Sequence, residues 1–223
     1  RVFASTFGGN FTSSDGNPSN TGNGWSAVNP PSGGFSQASV GSPDDNVVGG
    51  FKGTNDVFRS TDAGQSWASL GNPTASSVKI VSFAAAGSNL HWVGGDNGDL
   101  WVYDASAPTP SYTALTTGVA ERLSSLWAVN ESTLYAVGSN NTVIFSDDGG
   151  ANWTNIAGDI NAQTGDDLSG INWLNVAADD SGNVTLAGTN GEVVFGAIPE
   201  PSTYALIGGM FALGAALLRR RRG

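Results

Sequence analysis

Short apolar runs alternate with Gly-, Asn- and Ser-rich breaks along nearly the whole chain, and this is the spacing of strands rather than helices. In one stretch the segments Ser125 to Val129, Thr133 to Val137, Thr142 to Ser146 and Trp153 to Ile156 carry β-branched and aromatic residues. Asn130-Glu131, Ser139-Asn140-Asn141 and an Asp-Gly turn separate them. Four such segments in a row predict an antiparallel meander. Asn97-Gly98 and Asn190-Gly191 predict hairpin turns that demand positive φ. No helical period interrupts the series before Pro199.

The meander repeats. Ser60-x-Asp62-x-Gly64-x-x-Trp67 matches Ser146-x-Asp148-x-Gly150-x-x-Trp153 at a distance of 86 residues. That distance is twice a unit of about 43, the size of one propeller blade, and leaves room for one intervening copy. Leu100 to Asp104 fills its strand position, with Ala105 to Pro108 in place of the turn. Val48-Gly49, Val93-Gly94, Val137-Gly138 and Ala187-Gly188 form a second column, each before a hairpin. Ser13-Ser14-Asp15-Gly16, with Trp25 further on, reads as another copy opened by an insertion. The fold class is therefore all-β, a β-propeller of four-stranded antiparallel blades with about five visible. The first unit begins at its second strand (Val2 to Thr6, Asn10 to Ser14, Trp25 to Val28). The last (Ile171 to Val176, Val184 to Ala187, Glu192 to Phe195) lacks a fourth. Partial ends predict either closure by mixed terminal strands or further blades ahead of residue 1.

Residues 198–223 depart from this pattern. Pro199-Glu200-Pro201-Ser202 precedes an apolar run from Tyr204 to Leu218 with no polar face, and Arg219, Arg220, Arg221 and Arg222 follow. The run spans about 22 Å as a helix, short of the ~30 Å hydrocarbon core, and predicts a marginal transmembrane anchor. The arginines predict a cytoplasmic C-terminus. The chain thus divides into a propeller, 1–197, and a tail, 198–223. An external address requires a leader, and Arg1-Val2-Phe3-Ala4 already reads as strand, so the leader is expected to lie upstream or to have been removed.

The order of elements in the tail resembles the PEP-CTERM sorting signal of Gram-negative bacteria. The resemblance implies transient anchoring at the inner membrane, cutting by an exosortase near Pro199, Glu200 and Pro201, and delivery to the cell surface or extracellular matrix. The Ser-x-Asp-x-Gly-x-x-Trp units resemble the Asp-box, or BNR, repeat of sialidases, other secreted glycosidases and the photosystem assembly factor family. This implies a structural role for Ser60, Asp62, Gly64, Trp67, Ser146, Asp148, Gly150 and Trp153 in the turn between third and fourth strands.

Charge and composition narrow the function. The chain carries 19 acidic and 9 basic residues and a net charge of −10. Without the tail the balance is about −13, which excludes electrostatic binding to nucleic acid. The absence of cysteine excludes disulfides, thiolate catalysis and cysteine metal sites. A sialidase-like site would need an arginine cluster, yet residues 1–197 hold only Arg1, Arg59 and Arg122. His91, the single histidine, reads as structural. The acidic pairs Asp44-Asp45, Asp166-Asp167 and Asp179-Asp180 sit in loops; Asp179, Asp180 and Asn183 offer hard oxygen ligands that would suit calcium. Trp25, Trp92 and Trp101 are candidate glycan contacts, since their faces can stack on sugar rings. The expectation is a noncatalytic surface propeller that binds exopolysaccharide or envelope proteins. The alternatives are a glycan-active hydrolase whose catalytic part is missing, and an assembly factor.

Overall fold

The computed structural model describes residues 56–61, 66–73, 81–87 and 89–196 with their side chains. It describes 2–5, 11–14, 25–28, 37–40, 48–52, 80 and 197 as strand backbone. The described strands form five antiparallel sheets in chain order. The first holds β1 (Val2–Ser5), β2 (Phe11–Ser14) and β3 (Trp25–Val28). The second holds β4 (Gln37–Val40), β5 (Val48–Lys52), β6 (Asp56–Ser60) and β7 (Ala68–Gly71). The third holds β8 (Ile80–Ala86), β9 (Leu90–Gly95), β10 (Asp99–Asp104) and β11 (Tyr112–Thr116). The fourth holds β12 (Leu123–Ala128), β13 (Leu134–Gly138), β14 (Val143–Ser146) and β15 (Thr154–Asn155). The fifth holds β16 (Trp173–Ala178), β17 (Asn183–Gly188) and β18 (Val193–Ala197).

From the third sheet onward, the first strand of each sheet packs on the first two strands of the sheet before it. Stacked meanders with that offset are the arrangement of a β-propeller. Register shows which strands the partial sheets contain. Val48 pairs with Ser60 and Leu134 with Ser146, and in the same way Val2 pairs with Ser14. β1 and β2 are thus the second and third strands of their sheet, as the turn motif predicts. Among the described residues the fifth sheet ends on its third.

Three hairpins between second and third strands turn through residues with positive φ: Asn97, Asn140 with Asn141, and Asn190. The short Asn side chain tolerates this region, so the two Asn-Gly turns form as predicted. Beside these turns each inner strand carries a bulge, between Ile80 and Ser82, Leu123 and Ser125, and Trp173 and Asn175. Gly95, Gly138 and Gly188 lie opposite. A Cβ on Gly138 would run into the Arg122 carbonyl, and one on Gly188 into Ile171 and Trp173, so glycine permits the close approach. The glycine column therefore needs correcting: Gly95, not Gly94, stands with Gly138 and Gly188. Gly49 lies deeper in its strand, opposite Arg59.

A second correction concerns helix. α1 (Ala157–Thr164) follows β15. Asn155 Oδ1 accepts the Ala157 amide at 3.0 Å, and Gly165 ends the helix in the left-handed region with its N–H on the Asn161 carbonyl. Only Ala157 and Ile160 are buried on it, two apolar positions too few to set a visible period.

Alternation along each strand sends one set of side chains to the sheet before and the other to the sheet after. Trp92, Leu100, Leu123, Leu126, Ala136 and Ile144 fill the joint between third and fourth sheets. Tyr135, Val137, Val143, Phe145, Trp173, Val176, Val184 and Leu186 fill the joint between fourth and fifth, with Ile160 of α1. Val57, Phe83, Ala85 and Val93 fill the joint between second and third. Burying one such side chain fully contributes about 1.5–3 kcal/mol, so these joints hold most of the stability of the array.

Candidate functional site

The turn from Ser146 to Trp153 is the best-defined polar constellation. Ser146, buried at the end of β14, donates from Oγ to Asp148 Oδ1 at 2.9 Å and accepts the Gly150 amide at 2.9 Å. Asp148 Oδ1 also accepts the Asn152 amide at 2.8 Å, and its Oδ2 accepts Asn152 Nδ2 at 2.7 Å. These donors, Asn152 first, hold the Asp148 carboxyl below the usual range. Gly150 has a φ of +94°, and Trp153 donates from Nε1 to its carbonyl at 2.9 Å. Trp153 packs against the cluster between third and fourth sheets. Every oxygen of the Asp148 carboxylate thus faces a donor of its own turn. In the second sheet Ser60 is buried and Trp67 half-buried, while Asp62 and Gly64 lie outside the described residues.

The third sheet lacks the motif but keeps one of its bonds with the residues exchanged. Asp104 Oδ1 accepts Ser106 Oγ at 2.6 Å and the Ser106 amide at 2.8 Å. The sequence signal is Asp-x-Ser in place of Ser-x-Asp, which a search for the forward order does not find.

Asp179 forms the same clip in the hairpin between β16 and β17. Its Oδ1 accepts the amides of Ser181 at 2.9 Å and Asn183 at 3.0 Å, and its Oδ2 accepts Asn183 Nδ2 at 2.8 Å. The Asn183 donors lower its pKa. In the calcium candidate the Asp179 carboxylate therefore accepts from its own turn, and Asn183 turns its amide donor to it. Among the described residues no group of three His, Asp or Glu is placed to hold a metal ion. Asp167 closes a similar turn, accepting the Ser169 amide at 3.1 Å. Asp44 and Asp45 lie outside the described residues.

The three tryptophan candidates separate. Trp92 is 1% exposed and donates from Nε1 to the Gly149 carbonyl of the fourth sheet at 3.1 Å, so it is a link between sheets and its ring has no face for a sugar. Trp101, on β10, is half-buried. Trp25 lies on β3, whose side chains are outside the described residues, as is the whole tail from Pro199 to Arg222. No helix among the described residues is long and apolar enough to cross a membrane.

His91 is fully buried on β9, between Phe83 at 5.8 Å and Tyr103 at 6.4 Å from ring centre to ring centre. Burial, and then the charge of Arg59, lower its pKa to about 4, so it is neutral at pH 7. Neither of its ring nitrogens has a hydrogen-bond partner. A cavity of about 210 Å³ opens between α1 and β17–β18, lined by Ile160, Gln163, Thr164, Val184, Leu186 and Val194 among others. It holds no acid or base, and the Thr164 hydroxyl already donates to the Ile160 carbonyl at 3.1 Å. The cavity can take an apolar group beside one amide.

Comparison with solved structures gives the same architecture. The chain resembles YCF48 from Cyanidioschyzon merolae with a TM-score of 0.64 and 14% identity over 87% of this chain and 65% of that one. It resembles YCF48 bound to D1 peptide with a TM-score of 0.53 and 14% identity over 73% and 51%. An ancestral GH74 enzyme matches with a TM-score of 0.50 and 16% identity over 87% and 29%. The chain thus spans less than two thirds of the length of each. These likenesses support the β-propeller fold. No family model matches the chain, and no curated protein matches it in sequence.

Proposed function

We propose that the chain is an exported, noncatalytic β-propeller, anchored briefly at the inner membrane by residues 198–223, cut near Pro199 to Pro201 by an exosortase, and delivered to the cell surface or extracellular matrix. The observation that carries the reading is the order of the tail: a Pro-bracketed site, an apolar run too short for a settled anchor, and four arginines. The noncatalytic part is supported by the committed carboxylates of Asp148 and Asp179 and by the buried, neutral His91. The Ser60 and Ser146 turns act as Asp-box scaffold. Trp101, and Trp25 by its place in the sequence, are the candidate contacts for exopolysaccharide or envelope proteins, and Trp92 is not among them.

Mass spectrometry of the exported protein tests this. The mature chain should end near Pro199 to Pro201, without Arg219 to Arg222. An intact C-terminus on surface material refutes the sorting reading. Turnover of a glycoside by the purified propeller, abolished by mutating an acidic loop pair, would show a hydrolase instead.

A further inference from the structure

We propose that Thr109, at the tip of the loop between β10 and β11, is a site of O-glycosylation; the proposal rests on the export reading for the setting in which the sugar is added, and on the loop itself for the acceptor. β6 ends at Ser60 and β7 starts at Ala68, β10 ends at Asp104 and β11 starts at Tyr112, β14 ends at Ser146 and β15 starts at Thr154, so the three loops between third and fourth strands have one length. Asp104 therefore stands where Ser146 does and Ser106 where Asp148 does, and Pro108, Thr109, Pro110 and Ser111 take the places of Gly150, Ala151, Asn152 and Trp153. The base of the turn survives the exchange, since Ser106 still bonds to Asp104. The rest is given up. Trp153, which holds the fourth-sheet turn through the Gly150 carbonyl, has an exposed serine in its place. A break in a scaffold pattern that the second and fourth sheets keep in sequence is the mark of a position put to another use.

The tip that results has the character of an acceptor. Pro108, Thr109, Pro110 and Ser111 are all exposed. Both prolines lack an N–H, so the tip cannot join a ladder, and Pro110 keeps Thr109 out of the helical region. Thr109 is thus presented with no helix or strand to undo before an enzyme takes it up. Among the described residues its hydroxyl has no hydrogen-bond partner. Ser106 in the same loop is exposed as well, but its Oγ already donates to Asp104 Oδ1 at 2.6 Å. Hydroxyl residues set among prolines are the composition of O-glycosylated segments. In the transfer, Thr109 Oγ attacks the anomeric carbon of a sugar carried on a phosphate: the bond from that carbon to the threonine oxygen forms, its bond to the phosphate oxygen breaks, and the hydroxyl proton passes to a base of the transferase. The chain then carries a glycan covalently, in addition to any that it binds.

Peptide-level mass spectrometry of the chain recovered from the surface of the cells that make it, with fragmentation that leaves sugars in place, tests the assignment. The peptide holding residues 105–111 should carry the added mass of one or more sugars, located on Thr109. Thr109→Val should remove that mass and Thr109→Ser should keep it, both with an unchanged melting temperature, because the hydroxyl holds no bond in the fold. A chain confined to the cytoplasm is the second arm: sugar on it as well means a nucleotide-activated donor, sugar on the exported chain alone means a lipid-carried one, and either supports the proposal. A bare Thr109 on surface material, phosphate in place of sugar, or sugar on this peptide that survives Thr109→Val would overturn it. The same spectra read the C-terminus, so the two proposals fail separately: a chain ending near Pro201 with a bare Thr109 removes only this one, and an intact chain with sugar on Thr109 removes only the sorting reading.

Discussion

Where the fourth sheet meets the fifth, Tyr135, Val137, Val143 and Phe145 press on Trp173, Val176, Val184 and Leu186, and the Trp173 indole donates to Asn141 Oδ1 at 2.8 Å. Where the second meets the third, the same frame holds Arg59 in the place of Phe145, facing His91, with Tyr103 and Tyr112 in the same row across the third sheet. Both imidazole nitrogens and the Tyr112 hydroxyl are buried without partners. Burial pushes the pKa of Tyr112 up and keeps the hydroxyl neutral. A buried polar atom left unsatisfied costs about 1–3 kcal/mol, so the two joints differ in strength although their backbones match. Repetition fixes the frame, and the contents of each joint then decide how firmly it closes.

The largest test of that contrast is Trp173→Ala. It empties the centre of the stronger joint and should cost about 3–5 kcal/mol, read as a lower urea midpoint. An effect below 1 kcal/mol, on the order of a surface change, would mean that the joint is not where stability resides.

The weaker joint should respond to acid. His91 has a folded pKa of about 4 against 6.5 unfolded, so its contribution is complete above pH 6.5 and is lost as pH falls, because the unfolded chain takes up the proton first. Between pH 7 and pH 5 this amounts to about 2 kcal/mol. Denaturation at the two pH values measures it, and His91→Leu should flatten the dependence in that window. A slope unchanged by the substitution would remove His91 as its source.

Asp148→Ala acts on the turn that ties third and fourth sheets through Gly149. The carboxylate is solvent-exposed and water competes for its donors, so the expected loss is about 1 kcal/mol. Ser146→Ala should cost more, because its buried oxygen serves the Gly150 amide. Reversal of that order, followed by thermal unfolding, would put the turn's anchor at the aspartate.

How much of this was legible depends on the range of the interaction. The strands of the fourth sheet and the Asn97 and Asn190 turns were readable because alternation and positive φ are local properties. Trp92 was not: it is buried in the joint between third and fourth sheets and bonds to Gly149, 57 residues on, and no neighbouring residue announces it. α1 escaped because its helicity rests on Asn155 and Gly165 rather than on a hydrophobic stripe. The glycine column is legible at Gly138 and Gly188 but falls on Gly94 instead of Gly95 in the third sheet, since the bulge that demands it lies on a different strand. The commitment of Asp179 to its own turn needed coordinates, because the spacing of its partners would equally serve a metal.

Three ties between neighbouring sheets share a one-sided design, unlike the side-chain pair of Trp173 and Asn141. Ser82 Oγ donates to the Leu123 carbonyl at 2.6 Å, Trp92 Nε1 to that of Gly149 at 3.1 Å, and Trp127 Nε1 to that of Ala178 at 2.8 Å. In each, one partner is a side chain and the other is main chain, which every residue type provides. A substitution at Leu123 or Ala178 leaves the accepting carbonyl in place, so these ties need no matching change on the other sheet; Gly149, at a φ of +74°, is the exception. The sheets are thus held in step by atoms that a change of side chain does not remove.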